Sequence, residues 1–366
     1  MALTSALNMA ISGMMTTAIK TSVTSQNITN ADKAGYTRKS LDVRYITASG
    51  GSTPVAGMVV GAQDKFLHIS LNRETSNYNG NDVVSASLDY YIKKLGTTEG
   101  SNTLSSLMDS MYAALQYLST NPESAADKSK VVQIASNLSN SLRDVSNTIQ
   151  DLRQTAEHSI DASVKSINAA LDRIDLLNEK VTGGTNNDAS LAEYEDQRSL
   201  EIQNLSKEMN IQYFYSSDNR VQIFTGAGQA LLLSEPHHID YTVTNVVTGT
   251  TLYPAGFSPI SLDGVDITTS VSGGKLAGNI ELRDTTYVNE QAKMNEFATT
   301  LKTQVNTLLN TGASIPSRTV MTGSLAGLTG AMAFTGTGII KVAVTDNTGM
   351  VVNTSNINLV GMTTVN

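Results

Sequence analysis

The chain has no cysteine and no tryptophan. Without cysteine there are no disulfides, no thiol nucleophile and no thiolate metal site. Aromatic residues make up 5% of the 366 positions and charged residues 16%, both low. Ser, Thr, Asn and Gly fill the difference, which describes a neutral-polar chain with modest cores rather than a dense enzyme interior. Basic charge is also scarce. The net charge is −8 and no basic cluster occurs, which argues against a nucleic-acid partner. No window approaches the roughly 18 consecutive apolar residues of a transmembrane helix, so no membrane insertion is expected. The N-terminus has no basic segment followed by a continuous apolar run, so no cleaved secretory signal is expected. The length admits two or three domains.

Catalytic sets are missing as well, and neither a cofactor nor a metal is expected. His237 and His238 are adjacent, so in a strand they face opposite sides and cannot share one metal. His68 and His158 stand alone. Glu193, Glu195 and Asp196 read as a solvated helix face rather than paired catalytic carboxylates. Gly226-Ala227-Gly228 and Gly336-Thr337-Gly338 lead into no capped helix with a lysine, so they do not cradle phosphate.

What is present begins with residues 1 to 40. Leu7, Ile11, Met14 and Ala18 are spaced four, three and four apart and form one narrow apolar stripe along a helix. The opposite face carries Ser, Thr, Asn and Lys20. Such a helix is marginal alone and needs a partner. After Ile28 the chemistry changes to Asn30, Asp32 and Gly35, a turn-rich signal that ends the helix. The run Asn27-Ile28-Thr29-Asn30, a short loop and Gly35-Tyr36 resembles the N-terminal signature of the bacterial flagellar rod, hook and hook-associated proteins. The continuation Thr37-Arg38-Lys39 resembles the FlgK type of hook-associated protein. Two later stretches resemble the same family: Asp196-Gln197-Arg198 before a leucine-rich turn, and Gly273-Gly274-Lys275-Leu276-Ala277-Gly278 before a returning helix.

Periodicity supplies the elements between these anchors. Leu41 to Val60 alternates around Gly50-Gly51-Ser52-Thr53-Pro54 and predicts a hairpin that braces the first helix. Asp64 to Gly96 and Leu104 to Leu118 predict helices, the second ending at Thr120-Asn121-Pro122. Asp127 to Val181 carries an apolar stripe with no Gly or Pro inside it. It predicts one helix of about 55 residues, roughly 80 Å long, or two helices broken near Glu157 to Ile160, where the phase slips. Asp188 is expected to cap the next helix, with Ser190 and Glu193 in a capping-box pattern. Strands are predicted at Ile211 to Tyr215, Arg220 to Thr225 and Ala230 to Leu233, and His237 to Gly273 reads as β-like. A helix follows from Tyr287 to Leu309, with Met294, Phe297, Leu301, Val305 and Leu308 on one face. Ile339 to Val344 and Val351 to Leu359 alternate, as in an exposed β insertion.

The expected fold class is α+β: a long antiparallel, coiled-coil-like helical bundle with β-rich outer domains. Its expected segments are 1–63 (assembly helix and hairpin), 64–210 (long-helix bundle), 211–280 (β-rich), 281–312 (return helix) and 313–366 (β-rich outer insertion). The resemblance implies a structural subunit, not an enzyme, at the junction of hook and filament. Its implied interface is Leu7, Ile11, Met14, Ala18, Asn27, Ile28, Asn30, Gly35, Tyr36, Thr37 and Arg38. Its implied partners are the flagellar hook protein, a second hook-associated protein on the filament side, further copies in a helical ring, and an export chaperone. It also implies export through the flagellar type III pathway to an extracellular position. A hook protein, a flagellin-like axial protein and a secreted coiled-coil adhesin are the alternatives. The family closes with a second amphipathic helix. Asn358 to Asn366 carries no heptads, so that segment is expected to be lacking here.

Overall fold

Twenty-eight residues with one charge, Lys20, and no internal proline form the first helix, α1 (Ala2–Thr29). The chain then turns through Gly35, whose φ of 78° suits glycine. It enters the antiparallel hairpin β1 (Lys39–Ala48) and β2 (Gly51–Gly61). Helices α2 (Lys65–Leu95), α3 (Leu104–Thr120), α4 (Ala125–Gly183) and α5 (Ala189–Glu208) follow. Strands β3 (Ile211–Tyr215), β4 (Val221–Thr225) and β5 (Ala230–Leu232) make one three-stranded antiparallel sheet. The two-residue strands β6 (Ile239–Asp240), β7 (Ser261–Leu262) and β8 (Val265–Asp266) make another. The chain returns to helix in α6 (Gly274–Glu281), passes a π-helical turn (Leu282–Thr286) and continues as α7 (Tyr287–Thr311). A last hairpin pairs β9 (Ile339–Thr345) with β10 (Val351–Asn358). This computed structural model describes residues 2–33, 35–48, 51–62, 64–96, 103–183, 189–311, 338–346 and 351–360. The fold class is α+β, long antiparallel helices with small antiparallel sheets, as the periodicity predicts.

The chain divides into two compact units. The first, Met1–Tyr91 with Thr148–Glu290, holds the larger core. Ile160, Val164, Ile167, Leu171 and Ile174 of α4 meet Ile202, Leu205 and Met209 of α5. Val221, Ile223, Leu231 and Leu232 of the β3–β5 sheet close over them. Each such side chain, fully buried, contributes about 1.5–3 kcal/mol. The second unit, Ile92–Asn147 with Gln291–Asn366, is helical in its described part, apart from the β9–β10 hairpin. There α3 buries Leu107, Met111 and Ala114, and the first half of α4 buries Leu138 and Val145. Met294, Phe297, Leu301 and Val305 of α7 are half-buried. Helix α3 starts where the Thr103 hydroxyl accepts from Ser106 N at 3.2 Å.

Helix α4 runs unbroken through the phase slip at Glu157 to Ile160. The buried stripe does not lapse there, because Arg153 and Glu157 occupy its positions and are themselves buried. Two further expectations change. His237 to Gly273 is mostly irregular, with only the three two-residue strands. Its backbone is held by side chains of α4 instead of by a ladder. Glu157 accepts from Thr244 N, Gln154 from Val247 N, and Arg153 donates to the carbonyls of Thr248 and Thr251. The return helix begins earlier than Tyr287, at Gly274. The capping role of Asp188 lies outside the described residues, as do positions 312–337, 347–350 and 361–366 of the expected outer insertion and chain end.

Candidate functional site

Helix α1 has two unlike sides. On one, Thr16 and Val23 are buried, and the Ser12 hydroxyl donates to the Pro54 carbonyl of β2. Val23 packs with Val59 of β2, Ala192 of α5 and the half-buried Leu41 of β1. The other side carries the predicted stripe, and it faces solvent. Leu7 is 59% exposed, Ile11 42% and Met14 67%. Ala18 is exposed beside them. The polar face opposite the stripe is therefore the one that meets the hairpin, since its small Ser and Thr side chains let the strands approach.

The remaining predicted interface residues sit where α1 turns into β1, and most are engaged inside the chain. Asn27 Nδ2 donates to the Lys39 carbonyl and its Oδ1 accepts from Lys39 N, both at 2.8 Å. One amide thus does what a facing strand residue does. The Tyr36 hydroxyl donates to the same Asn27 Oδ1 at 2.9 Å. Asn30 closes its own helix by donating to the Gln26 carbonyl. Gly35 packs against Leu200 of α5 so closely that a Cβ would stand 3.2 Å from it. Thr37 N donates to Asp196 Oδ2 at 3.3 Å. Ile28, 74% exposed, and Arg38, also exposed, look outward like the stripe.

Asp196 corrects the expectation of a solvated carboxylate face. It is buried and pairs with the buried Lys39 Nζ at 3.3 Å, with the Tyr36 ring 4.7 Å from the same nitrogen. Burial first, then the negative charges of Asp196 and Glu193, raises the Tyr36 phenol above its ordinary pKa. Glu195 likewise has a partner, accepting from Asn219 Nδ2. Two residues on from Asp196, Arg198 points the other way around the helix. It is buried and donates to Asn178 Oδ1 at 3.0 Å and to the Asn219 carbonyl at 2.8 Å. Burial lowers its pKa, with Tyr215 and Glu195 acting against that. Asp196-Gln197-Arg198 therefore joins α5 to the N-terminal segment on one side and to α4 and the β3–β4 turn on the other.

The third stretch explains itself by close approach. Gly273 and Gly274 both have positive φ, and a Cβ on Gly274 would lie 2.3 Å from the Glu208 backbone. Lys275 Nζ then reaches Glu208 Oε1 at 2.9 Å, while Ser163 of α4 donates to Glu208 Oε2 at 2.8 Å. All three sequence stretches, far apart in the chain, thus converge on α5.

Sequence reasoning missed a buried ion cluster. Arg283, in the π-helical turn, donates to Glu157 Oε2 at 2.7 Å and to the Tyr241 hydroxyl at 2.8 Å, and grips Asp284 with two bonds. Burial disfavours its charge, but Asp284, Tyr241 and Glu157 more than offset this, so its pKa is raised. The guanidinium also lies 4.1 Å from the Phe257 ring centroid. The signal was present: Arg153 and Glu157, four apart, fall in the apolar stripe of α4. These groups are mutually satisfied and structural. His237 and His238 each pair with a separate carboxylate, Asp263 at 2.8 Å and Asp172 at 2.7 Å. Among the described residues no group of His, Cys, Asp or Glu could hold a metal, and no helix is long and apolar enough to cross a membrane. A shallow cleft beside α1, lined by Thr4, Ser5, Asn8, Met9 and Thr53, offers no ionisable side chain.

The family model of the flagellar hook-associated protein FlgK helical domain matches residues 92–321. Among solved structures, the flagellar hook junction protein FlgK from Burkholderia pseudomallei is similar, with a TM-score of 0.54 and 20% identity. The match covers 78% of this chain and 56% of that one, so the chain spans little more than half of that relative's length. At this identity the likeness speaks for the fold. No curated protein matches.

Proposed function

Because the chain belongs to the FlgK family of flagellar hook-associated proteins, we propose that it is a structural subunit of the hook–filament junction that assembles through α1. The observation that carries the assembly role is the exposed stripe of Leu7, Ile11 and Met14 on a helix with one charge. Because these side chains are already part-covered, a neighbour that covers the rest adds about half the value of full burial, about 1 kcal/mol each. The covering neighbour is another subunit, and the contacts are heterologous, so they propagate on a helical lattice instead of closing in pairs. Hook protein lies on one side of the ring and a second hook-associated protein on the filament side. An export chaperone and the flagellar type III route bring the chain to this extracellular position. The adjoining residues Asn27, Asn30, Gly35, Tyr36 and Thr37 serve assembly indirectly, by fixing the angle at which α1 leaves the hairpin.

Deletion of the gene, with electron microscopy of the cells and an assay of flagellin in the medium, tests the placement. Bare hooks with flagellin lost to the medium are expected. Malformed hooks would move the protein to the hook or rod, and intact filaments would sink the reading. In complemented cells, Leu7→Asp with Ile11→Asp should reproduce the deletion, while the purified variant keeps native helix content by circular dichroism.

A further inference from the structure

The first helix and its hairpin are tied together as one arm. Asn27 holds both backbone groups of Lys39, Tyr36 holds Asn27, Ser12 holds Pro54, and Val23 packs on Val59. The seat of this arm is one side of α5. Ala192, Asp196 and Leu200, four apart, stack along that side. Ala192 completes a small apolar cluster with Val23 and Val59. Leu200 lies under Gly35. Glu193 at the rim reaches Lys33 at 3.9 Å, with both side chains more than half exposed. The centre of the seat is the ion pair of Lys39 and Asp196, whose side chains are 3% and 8% exposed.

A seat made this way differs from the core around α4. Arg283 is gripped by Glu157, Asp284 and Tyr241 at 2.7–2.8 Å. Lys39 Nζ meets one carboxylate oxygen, at 3.3 Å, and an aromatic ring. A buried ion pair adds little net stability over water, because both charges are rehydrated when it opens, yet losing one partner alone is severe. The few apolar groups around it add a modest term. Docking of this kind is specific and separable, while the bonds inside the arm survive separation.

We propose that residues 2–62 form a lever that docks on α5 through Lys39 and Asp196 and lifts away as one piece, with α1 and the β1–β2 hairpin remaining together. Lys39–Asp196 is the pin, and Gly35 against Leu200 sets its register. The angle of the exposed stripe to the rest of the unit is then adjustable.

The chain has no cysteine, so Thr17→Cys on α1 and Leu176→Cys on α4, both exposed sites, take two spin labels without background. Double electron–electron resonance on the full chain reads the distance between them, and hydrogen exchange reads each element. The native sequence should give one narrow distance population. Adding Asp196→Asn leaves the Lys39 charge buried without its partner. The ratio of undocked to docked arm should rise by about a hundredfold or more, giving a second distance population, while the amides of β1, β2 and β3–β5 keep their protection. Asp196→Leu with Lys39→Met removes both charges and should return the single population. An unchanged distance distribution in Asp196→Asn would overturn the proposal. So would loss of protection in β1–β2, meaning that the arm melts, or in β3–β5, meaning that the pair belongs to the common core. Failure of the apolar pair to restore docking would also overturn it.

Discussion

Three asparagines do the same work at three places. Asn27 spans the N–H and C=O of Lys39, Asn168 those of Ile239 and Asn178 those of Val221, all at 2.8–2.9 Å. In each case a helix replaces the missing neighbour of a strand or its edge, so buried backbone groups stay paired. Buried tyrosines add a second residue-scale property. Burial raises the phenols of Tyr91 and Tyr213 from 10.0 to about 12, and the negative charge of Glu290 helps at Tyr91. A folded pKa above the unfolded value means that folding favours the neutral phenol. Below pH 10 both states are protonated and the contribution is complete. Between pH 10 and about 12 the unfolded chain releases its protons while the folded chain holds them, so stability falls across that window. Because the chain has 13 tyrosines and no tryptophan, tyrosinate absorbance follows the titration directly. We expect a set of late-ionising phenols, which includes Tyr215, Tyr241 and Tyr287 beside these two, and Tyr91→Phe and Tyr213→Phe should each remove one phenol from that set. Each variant should also show a shallower fall of denaturation midpoint above pH 10. Ionisation of all phenols near their ordinary value in the folded protein would refute this.

Between elements, the decisive contact is glycine on glycine. A Cβ on Gly278 of α6 would stand 2.6 Å from the Gly80 carbonyl of α2, and one on Gly80 would stand 3.0 Å from the Gly274 carbonyl. Backbone cannot swing aside as a side-chain tip can, so Gly278→Ala should cost about 1–3 kcal/mol by forcing the helices apart. Gly183, at the end of α4, has nothing within 4 Å of its missing Cβ. Gly183→Ala is therefore the control and should be neutral or slightly stabilising. Urea midpoints of the two variants decide it. The sequence showed that glycines punctuate residues 273 to 278, yet not what approaches them, because the partner lies in α2. The same limit explains the other misses. Apolar spacing located the long helices among the described residues, yet it did not say which face packs: α4 buries its periodic stripe, while α1 leaves its stripe in solvent and α2 buries Asn72, Ser76, Gly80 and Tyr91. It could not foresee that Glu157, Gln154 and Arg153 would pair the backbone of residues 244 to 251, so a Thr- and Val-rich segment read as strands. Nor could it match Lys39 with Asp196. Lys39 shares a strand face with Leu41, which hints at burial, but the partner is fixed only by tertiary contact.

For the molecule as a whole, the question is whether copies meet through apolar or charged groups. The net charge of −8 makes copies repel one another. The stripe of Leu7, Ile11 and Met14 offers a region where no charge opposes contact, since α1 carries only Lys20. These two forces respond oppositely to salt. Raising ionic strength from about 0.15 M to about 1 M shortens the screening length from about 8 Å to about 3 Å. That weakens the repulsion and leaves apolar burial intact or, with sulfate, strengthened. If subunits associate through the stripe, light scattering coupled to size exclusion should show larger species as salt rises, at constant protein concentration. Leu7→Asp with Ile11→Asp should remain monomeric at every salt concentration, because it removes the apolar gain and adds negative charge to the contact. Association that weakens with salt would instead point to ion pairs, for example through exposed lysines and carboxylates on α2 and α4, and would take the assembly role away from α1. The arm enters here as well. If it lifts from α5, Asp196→Asn should change the sizes of the assemblies formed while leaving the direction of the salt response the same, because the stripe itself is untouched.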